Sequence, residues 1–230
     1  MKRIHIFLAA FLLGILPICA ADFKVDGIPY DKNYGGKTVT VAYDKKNKSL
    51  KGSVVIPDSV RHKGVTYRVT AIDAFAFKDG KDITSIVIPN SVEKIGVSAF
   101  NGCTSLKSVN LPEGLTFIRN YLFYNCSSLA SIEIPATVTA IGESAFYDCR
   151  SLTTLTIPRS VTSILKTAFT GCSGLTTLTI KSRGVYHYGC RMFIGCRNLK
   201  RCYVPKKECR LPDTEFNDLP TTCEIIPTEF

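Results

Sequence analysis

The sequence predicts a β-rich solenoid: a right-handed coil of stacked repeats, each about 23 residues long, with parallel strands. Two observations lead to this fold class. Phenylalanine recurs every 23 or 24 residues, and a short segment of alternating apolar and polar residues recurs with the same period. A period in the twenties is typical of solenoids, because one repeat cannot bury its own apolar face and must pack against its neighbours. The repeated phenylalanines are Phe77, Phe100, Phe123, Phe146, Phe169 and Phe193.

The alternating segments predict strands that have one buried and one exposed face. They span residues 86–88, 109–111, 132–134, 155–157, 178–180 and 202–204. A proline follows most of them, and proline ends a strand because it cannot donate a ladder hydrogen bond. These prolines are Pro89, Pro112, Pro135, Pro158 and Pro205. A Val-x-x-Ile step after each proline predicts a second wall of the coil.

The whole repeat is similar to that of a known family. The unit SLASIEIPATVTAIGESAFYDC at residues 128–149 resembles the BspA-like leucine-rich repeats of bacterial surface proteins, and the resemblance covers about residues 69–204. It implies a surface or secreted protein. It also implies a binding role, since some members of the family are adhesins for host matrix proteins or for other bacteria.

The two ends of the chain depart from the repeat, as the exposed ends of a solenoid must. We therefore divide the chain into a signal peptide (1–21), an N-terminal β cap (22–68), the leucine-rich repeat solenoid (69–205) and a degenerate C-terminal cap (206–230). In the N-terminal region, alternation at residues 37–43 and 54–56 predicts a hairpin cap. At the other end, Phe216 lies 23 residues after Phe193 and Pro227 lies 22 after Pro205. This spacing predicts a seventh, decayed coil.

The first residues have the layout of a secretory signal peptide. Basic Lys2 and Arg3 precede an apolar run at residues 6–18, and the small residues Ala20 and Ala21 follow it. The run is too short to span a membrane, and no second one follows. Lipidation at Cys19 is an alternative, although the bulky Ile18 stands where a small residue is expected.

The ten cysteines fall into two groups. Those that follow the repeat phenylalanine by three residues should point inward as free thiols, and Cys202 occupies a core position of a strand. Cys190, Cys209 and Cys223 lie off this column, and a Cys209–Cys223 disulfide would staple the C-terminal cap. The column cysteines are Cys103, Cys126, Cys149, Cys172 and Cys196.

Nothing in the sequence predicts a catalytic, metal or cofactor site. His62 and His187, the histidines that remain after signal removal, are predicted surface residues, and no nucleophile elbow, zinc motif or phosphate loop is present. An extracellular enzyme or inhibitor on a repeat scaffold is the alternative, because a fold does not determine function. A nucleic-acid partner is not expected, since the basic residues lack an aromatic stacking platform.

Outward positions of the predicted strands form the candidate binding surface. Small hydroxyls dominate it, which also suits an exposed strand with no ligand. Between residues 181 and 210 there are nine basic residues and one acid, whereas residues 69–180 carry eight of each. A basic end favours an acidic extracellular protein or glycan, unless the five acids after residue 210 neutralise it. The predicted binding residues are Thr154, Thr156, Thr177, Thr179, Lys200, Arg201 and Tyr203.

Overall fold

The structure, a computed structural model, describes residues 21–44, 50–182, 187–188, 190–206 and 218–229. It is a β-solenoid of about six turns, about 23 residues apart, with parallel strands and no helix in the described residues. The predicted fold class is therefore confirmed. The signal peptide and Cys19 lie outside the described residues.

Seventeen short strands form the described part of the coil. They are β1 (Phe23–Val25), β2 (Ile28–Lys32), β3 (Thr38–Val41), β4 (Gly52–Val55), β5 (Ser59–His62), β6 (Val65–Ile72), β7 (Ile83–Val87), β8 (Lys94–Ile95), β9 (Ser108–Val109), β10 (Phe117–Ile118), β11 (Ala140–Ile141), β12 (Thr154–Ile157), β13 (Ser163–Ile164), β14 (Thr177–Ile180), β15 (His187–Tyr188), β16 (Arg201–Pro205) and β17 (Glu224–Thr228).

The strands build two walls. One wall contains two parallel sheets, β4-β7-β9 and β12-β14-β16-β17, and we call its outward surface the strand face. The opposite wall contains β8, paired to β6, and the parallel sheet β10-β11-β13-β15. The strand predicted at residues 132–134 is absent, so the strand face is divided between β9 and β12.

The N-terminal region combines two antiparallel arrangements. β1, β2 and β3 form a meander, and β5 and β6 form a hairpin. The segments expected to form one hairpin cap pair elsewhere: β3 runs parallel to β6, and β4 runs parallel to β7. The strand face consequently begins at Gly52, inside the region assigned to the cap.

At the C-terminal end, β17 adds one more parallel strand beside β16. Arg201 pairs with Glu224, which preserves the 23-residue offset, and Val204 pairs with Pro227. This strand agrees with a decayed final coil, although Phe216 lies outside the described residues.

A ladder of stacked phenylalanines forms the centre of the core. Successive rings from Phe77 to Phe193 lie 5.4–5.8 Å apart, and neighbouring ring planes differ by 14–19°. Phe100 and Phe146 are fully buried, as predicted. Stacking at this spacing lets one aromatic column run through every repeat, because each ring contacts the equivalent ring of the next coil.

Two tight turns flank the phenylalanine in each repeat. The residue two positions before it adopts positive φ even where it is not glycine, for example Tyr121 (φ 57°) and Thr167 (φ 57°). The residue two positions after it does so as well, as at Asp148 (φ 57°) and Gly171 (φ 77°). Left-handed backbone at a β-branched or bulky residue is uncommon. Packing between coils therefore holds the backbone in a conformation that these side chains disfavour.

Candidate binding face

The predicted threonines of β12 and β14 point outward in register. Thr154 pairs with Thr177 and Thr156 pairs with Thr179, while the alternate residues Leu155 and Leu178 are buried in the core. Alternation along a strand sends neighbouring side chains to opposite faces. The four hydroxyl-bearing side chains consequently form two short rows on the strand face.

β16 continues these rows with larger side chains. Arg201 is paired with Thr177 and Tyr203 with Thr179. Arg201 is exposed and Tyr203 is partly buried, whereas Cys202 between them is buried. The structure thus brings six of the seven predicted binding residues onto one sheet, and the exposed Lys200 directly precedes it.

The charge at the C-terminal end is partly paired. Lys206 forms an ion pair with Glu229, with 3.3 Å between Nζ and Oε1, and both side chains are well exposed. Glu224 stands beside Arg201 across β16 and β17, but neither Lys200 nor Arg201 has a carboxylate oxygen within 4.0 Å among the described residues. Among the described residues, Glu229 of the cap thus neutralises the charge of Lys206. Asp213 and Glu215, the first two acids of this stretch, lie outside the described residues.

Two open cavities lie on the strand face on either side of residues 131–136. One, of about 620 Å³, is lined by Thr154, Thr156 and Arg159 together with Glu133. The other, of about 610 Å³, is lined by Asn90, Asn110, Glu113 and again Glu133. We call the two cavities together the central groove. Glu133 and Ala136 belong to both halves.

The N-terminal part of the strand face carries two exposed valines, which the sequence reasoning did not single out as a pair. Val55 is 60% exposed and Val87 is 46% exposed, and the two are paired across β4 and β7. The composition of the face therefore changes along the solenoid, from valines through hydroxyls to Arg201 and Tyr203. The alternation at residues 86–88 already placed the side chain of Val87 on the outward face, whereas it gave no indication for the neighbouring Val55.

The histidine sites give no support for catalysis. The ring of His62 stacks on Phe23, with centroids 4.2 Å apart and planes 16° apart, so it packs against the N-terminal meander. The backbone of His187 lies in β15, and its side chain is outside the described part. Within the described residues, no group of three His, Cys, Asp or Glu side chains is placed to hold a metal ion.

The cysteine column lies inside the coil as predicted. Cys103, Cys126, Cys149, Cys172 and Cys196 are buried free thiols, and so is Cys202. Burial raises the pKa of Cys103 to about 12 and also raises the pKa of Cys126 and Cys149, because the interior penalises the thiolate. Cys190 is exposed, Cys223 is a partly buried free thiol, and Cys209 lies outside the described residues.

No helix among the described residues is long and apolar enough to cross a membrane. A repeating coil with stacked parallel strands, a buried aromatic ladder and a broad outward face defines this protein as a leucine-rich repeat solenoid. The sequence profile of the BspA type leucine rich repeat region matches it in six copies over residues 70–200 and 117–227. The chain belongs to that family, whose members are often bacterial surface proteins.

Solved structures of bacterial leucine-rich repeat proteins are similar to this chain. A leucine-rich repeat protein from Bacteroides ovatus is 28% identical, with a TM-score of 0.73 over 90% of this chain, and the chain spans 53% of that protein's length. The leucine-rich repeat protein of T. pallidum is also 28% identical, with a TM-score of 0.68, over 90% of this chain and 99% of its own. The pneumococcal vaccine antigen PcpA, at 20% identity and a TM-score of 0.67 over 90% of this chain and 47% of its own, shares the fold. No curated protein matches the sequence.

Proposed function

We propose that this protein is an exported surface or secreted binding protein, and that it holds an extracellular partner on the C-terminal half of its strand face. One observation carries the proposal. Thr154, Thr177 and Arg201 form one outward row, and Thr156, Thr179 and Tyr203 form a second, on a single parallel sheet. A sheet holds the backbone of these residues in place, which lowers the ordering cost of binding and favours recognition.

Charge indicates the kind of partner. Lys200 and Arg201 are exposed at the end of the face and lack a partner carboxylate among the described residues. Arginine and tyrosine contribute strongly to binding energies at interfaces, and a compact basic end attracts acidic groups and makes binding sensitive to salt. We therefore propose a protein or glycan that carries acidic groups.

The proposed location rests on the family and on the sequence. BspA-like leucine-rich repeat proteins are surface-associated in bacteria, and the first 21 residues have the layout of a signal peptide. An extracellular partner is consistent with both.

A binding screen against matrix proteins and glycans, followed by charge reversal, tests the proposal. The double variant Lys200→Glu and Arg201→Glu should lose at least about tenfold in affinity for the captured partner and should show a weaker salt dependence, because it loses two attractive charges. Lys107→Glu with Lys94→Glu is the matched control. Lys107 occupies the position equivalent to Lys200 in an earlier coil, and both control residues are exposed.

Unchanged affinity together with a lower melting temperature in the first variant would show that the basic end is only neutralised internally. Multiple turnover of a glycan or peptide that depends on His62 or His187 would instead establish an enzyme.

A further inference from the structure

The division of the strand face is a local feature of one repeat. Residues 131–134 follow β9 by one repeat and precede β12 by one repeat, yet they belong to neither sheet. In the equivalent segments of the following coils, β12 and β14 pair over four residues. In this one coil, the segment on the strand face therefore forms no β-ladder with the coil before it or with the coil after it.

The backbone of this segment offers unused hydrogen-bonding groups. The last backbone hydrogen bonds between coils before this segment involve Ala130. Its N–H donates to the carbonyl of Lys107, and its carbonyl accepts from the N–H of Thr153. From Ser131 to Ile134, neither the N–H nor the C=O groups bond to any described residue. Backbone polar groups that lack a protein partner must be satisfied by water or by a ligand.

Residues of this segment line the central groove. Its halves, of about 620 and 610 Å³, are open to solvent and share Glu133 and Ala136. The walls carry hydroxyls at Ser131, Thr154 and Thr156, and a cation at Arg159. Pro158 and Ala136 add small apolar surfaces between the polar groups. The two halves thus present donors, acceptors and small apolar surfaces.

This combination matches the chemistry of a carbohydrate. Each sugar hydroxyl both donates and accepts hydrogen bonds, and the side chains of the groove supply carboxylate and hydroxyl acceptors together with hydroxyl and guanidinium donors. The C–H faces of a sugar ring can pack on Pro158 and Ala136. A peptide that added as a strand would need a vacant strand position. Residues 131–134 already occupy the position between β9 and β12, one repeat from each.

We propose that the central groove binds a glycan, with Glu133 as the acceptor shared by its two halves. The inference rests on the proposed function in taking the strand face as the binding surface. It differs in position, since it depends on residues 131–136 and not on the basic end. It also assigns a ligand class to this part of the face.

Titration calorimetry of the full chain against defined hexasaccharides tests the assignment. Suitable probes are cellohexaose, xylohexaose and chitohexaose as neutral chains, and a hyaluronan hexasaccharide as an acidic one. Wild-type protein should bind at least one of them. Glu133→Gln should weaken that binding roughly tenfold or more, because a charged acceptor is lost from hydrogen bonds to the ligand. Glu133 is exposed, so the variant should fold normally.

Glu93→Gln is the matched control, since it is an exposed glutamate that does not line the groove, and its affinity should stay within about twofold of wild type. Absence of binding to every hexasaccharide at millimolar concentration would overturn the assignment, as would equal affinity of wild type and Glu133→Gln. If an acidic partner is still captured through Lys200 and Arg201 in that case, the proposed function stands and the glycan assignment alone fails. Displacement of the bound hexasaccharide by free sugar, and not by an acidic peptide, would support it.

Discussion

The thiol of Cys149 donates a hydrogen bond to the backbone carbonyl of Phe123, with 3.2 Å between Sγ and the oxygen. Phe123 is the ladder phenylalanine of the preceding coil, 26 residues earlier. The same bond recurs from Cys103 to Phe77, from Cys126 to Phe100, from Cys172 to Phe146 and from Cys196 to Phe169, at 3.1–3.2 Å. Each column cysteine thus connects two coils through its thiol.

This geometry predicts that the column thiols stay free and protected. In native protein at pH 8, iodoacetamide should modify the exposed Cys190 and leave Cys103, Cys126 and Cys149 unmodified. The reason is that the thiolate is the reactive form and burial disfavours it. Peptide mass mapping before and after denaturation in guanidinium measures this. Disulfides between successive column cysteines would contradict the prediction.

The same thiols predict a loss of stability at alkaline pH. Burial raises the pKa of Cys103 to about 12 and raises the pKa of Cys126 and Cys149 as well. Hydrogen bonding with Cys196, together with burial, raises the pKa of Cys172, whereas an unfolded thiol titrates at about 8.5. The unfolded chain therefore releases these protons first. The contribution is fully present below about pH 8.5, and each thiol lowers the free energy of unfolding by up to about 1.4 kcal/mol per pH unit above that value.

Urea unfolding at pH 8, 9 and 10 measures this dependence. Cys126→Ala should begin from a lower stability but lose less of it between pH 8 and 10 than the wild type does. Parallel pH profiles for the two proteins would disprove the contribution of that thiol.

Gly171 is predicted to be sensitive to an added side chain. Its φ is +77°, and a Cβ there would collide with Oδ1 of Asp148, a carboxylate that also binds Arg150 at 2.9 Å. Gly171→Ala should lower the free energy of unfolding by roughly 1–2 kcal/mol, because alanine disfavours the left-handed conformation and the Asp148 carboxylate must shift away from the new Cβ. Gly114→Ala is the control, since a Cβ at Gly114 would meet nothing within 4 Å. Chemical denaturation of both variants measures the difference, and equal stability would refute the collision.

The phenylalanine ladder should be most sensitive at its centre. Phe146 is fully buried and stacks on Phe123 and Phe169 at 5.4 and 5.7 Å. Phe146→Ala should cost about 3–5 kcal/mol, since it removes a large core side chain. Phe117→Ala, at a ring that is 44% exposed, should cost less than about 1 kcal/mol. Melting curves of both variants provide the comparison, and similar losses would show that the ladder does not concentrate stability.

Export predicts a processed N-terminus. Protein recovered from outside the bacterial cytoplasm should begin at Ala21 or Asp22, after cleavage behind Ala20 or Ala21. Intact-mass measurement identifies the first residue. Cys19→Ser should leave processing unchanged, whereas retention of a lipid-modified Cys19 at the N-terminus would establish a lipoprotein instead.

Periodicity in the sequence by itself determined the repeat length, the parallel stacking and the inward positions of Phe146 and Cys149. It could do so because every coil buries the equivalent positions of the repeat. One alternating pattern therefore identifies the core face in all coils. The outward rows at Thr154 and Thr156 follow from the same alternation.

Only the tertiary structure decided which strands pair. Alternation identifies the face of a strand but not whether its ladder bonds form, because those bonds depend on the backbone positions of the two neighbouring coils. For that reason the open ladder at residues 131–134, the pairing of β4 with β7 and the stacking of His62 on Phe23 were not predictable from the sequence. The central groove around Glu133 lies where one coil of the strand face does not pair with its neighbours. The residues of a single repeat do not encode this difference in pairing.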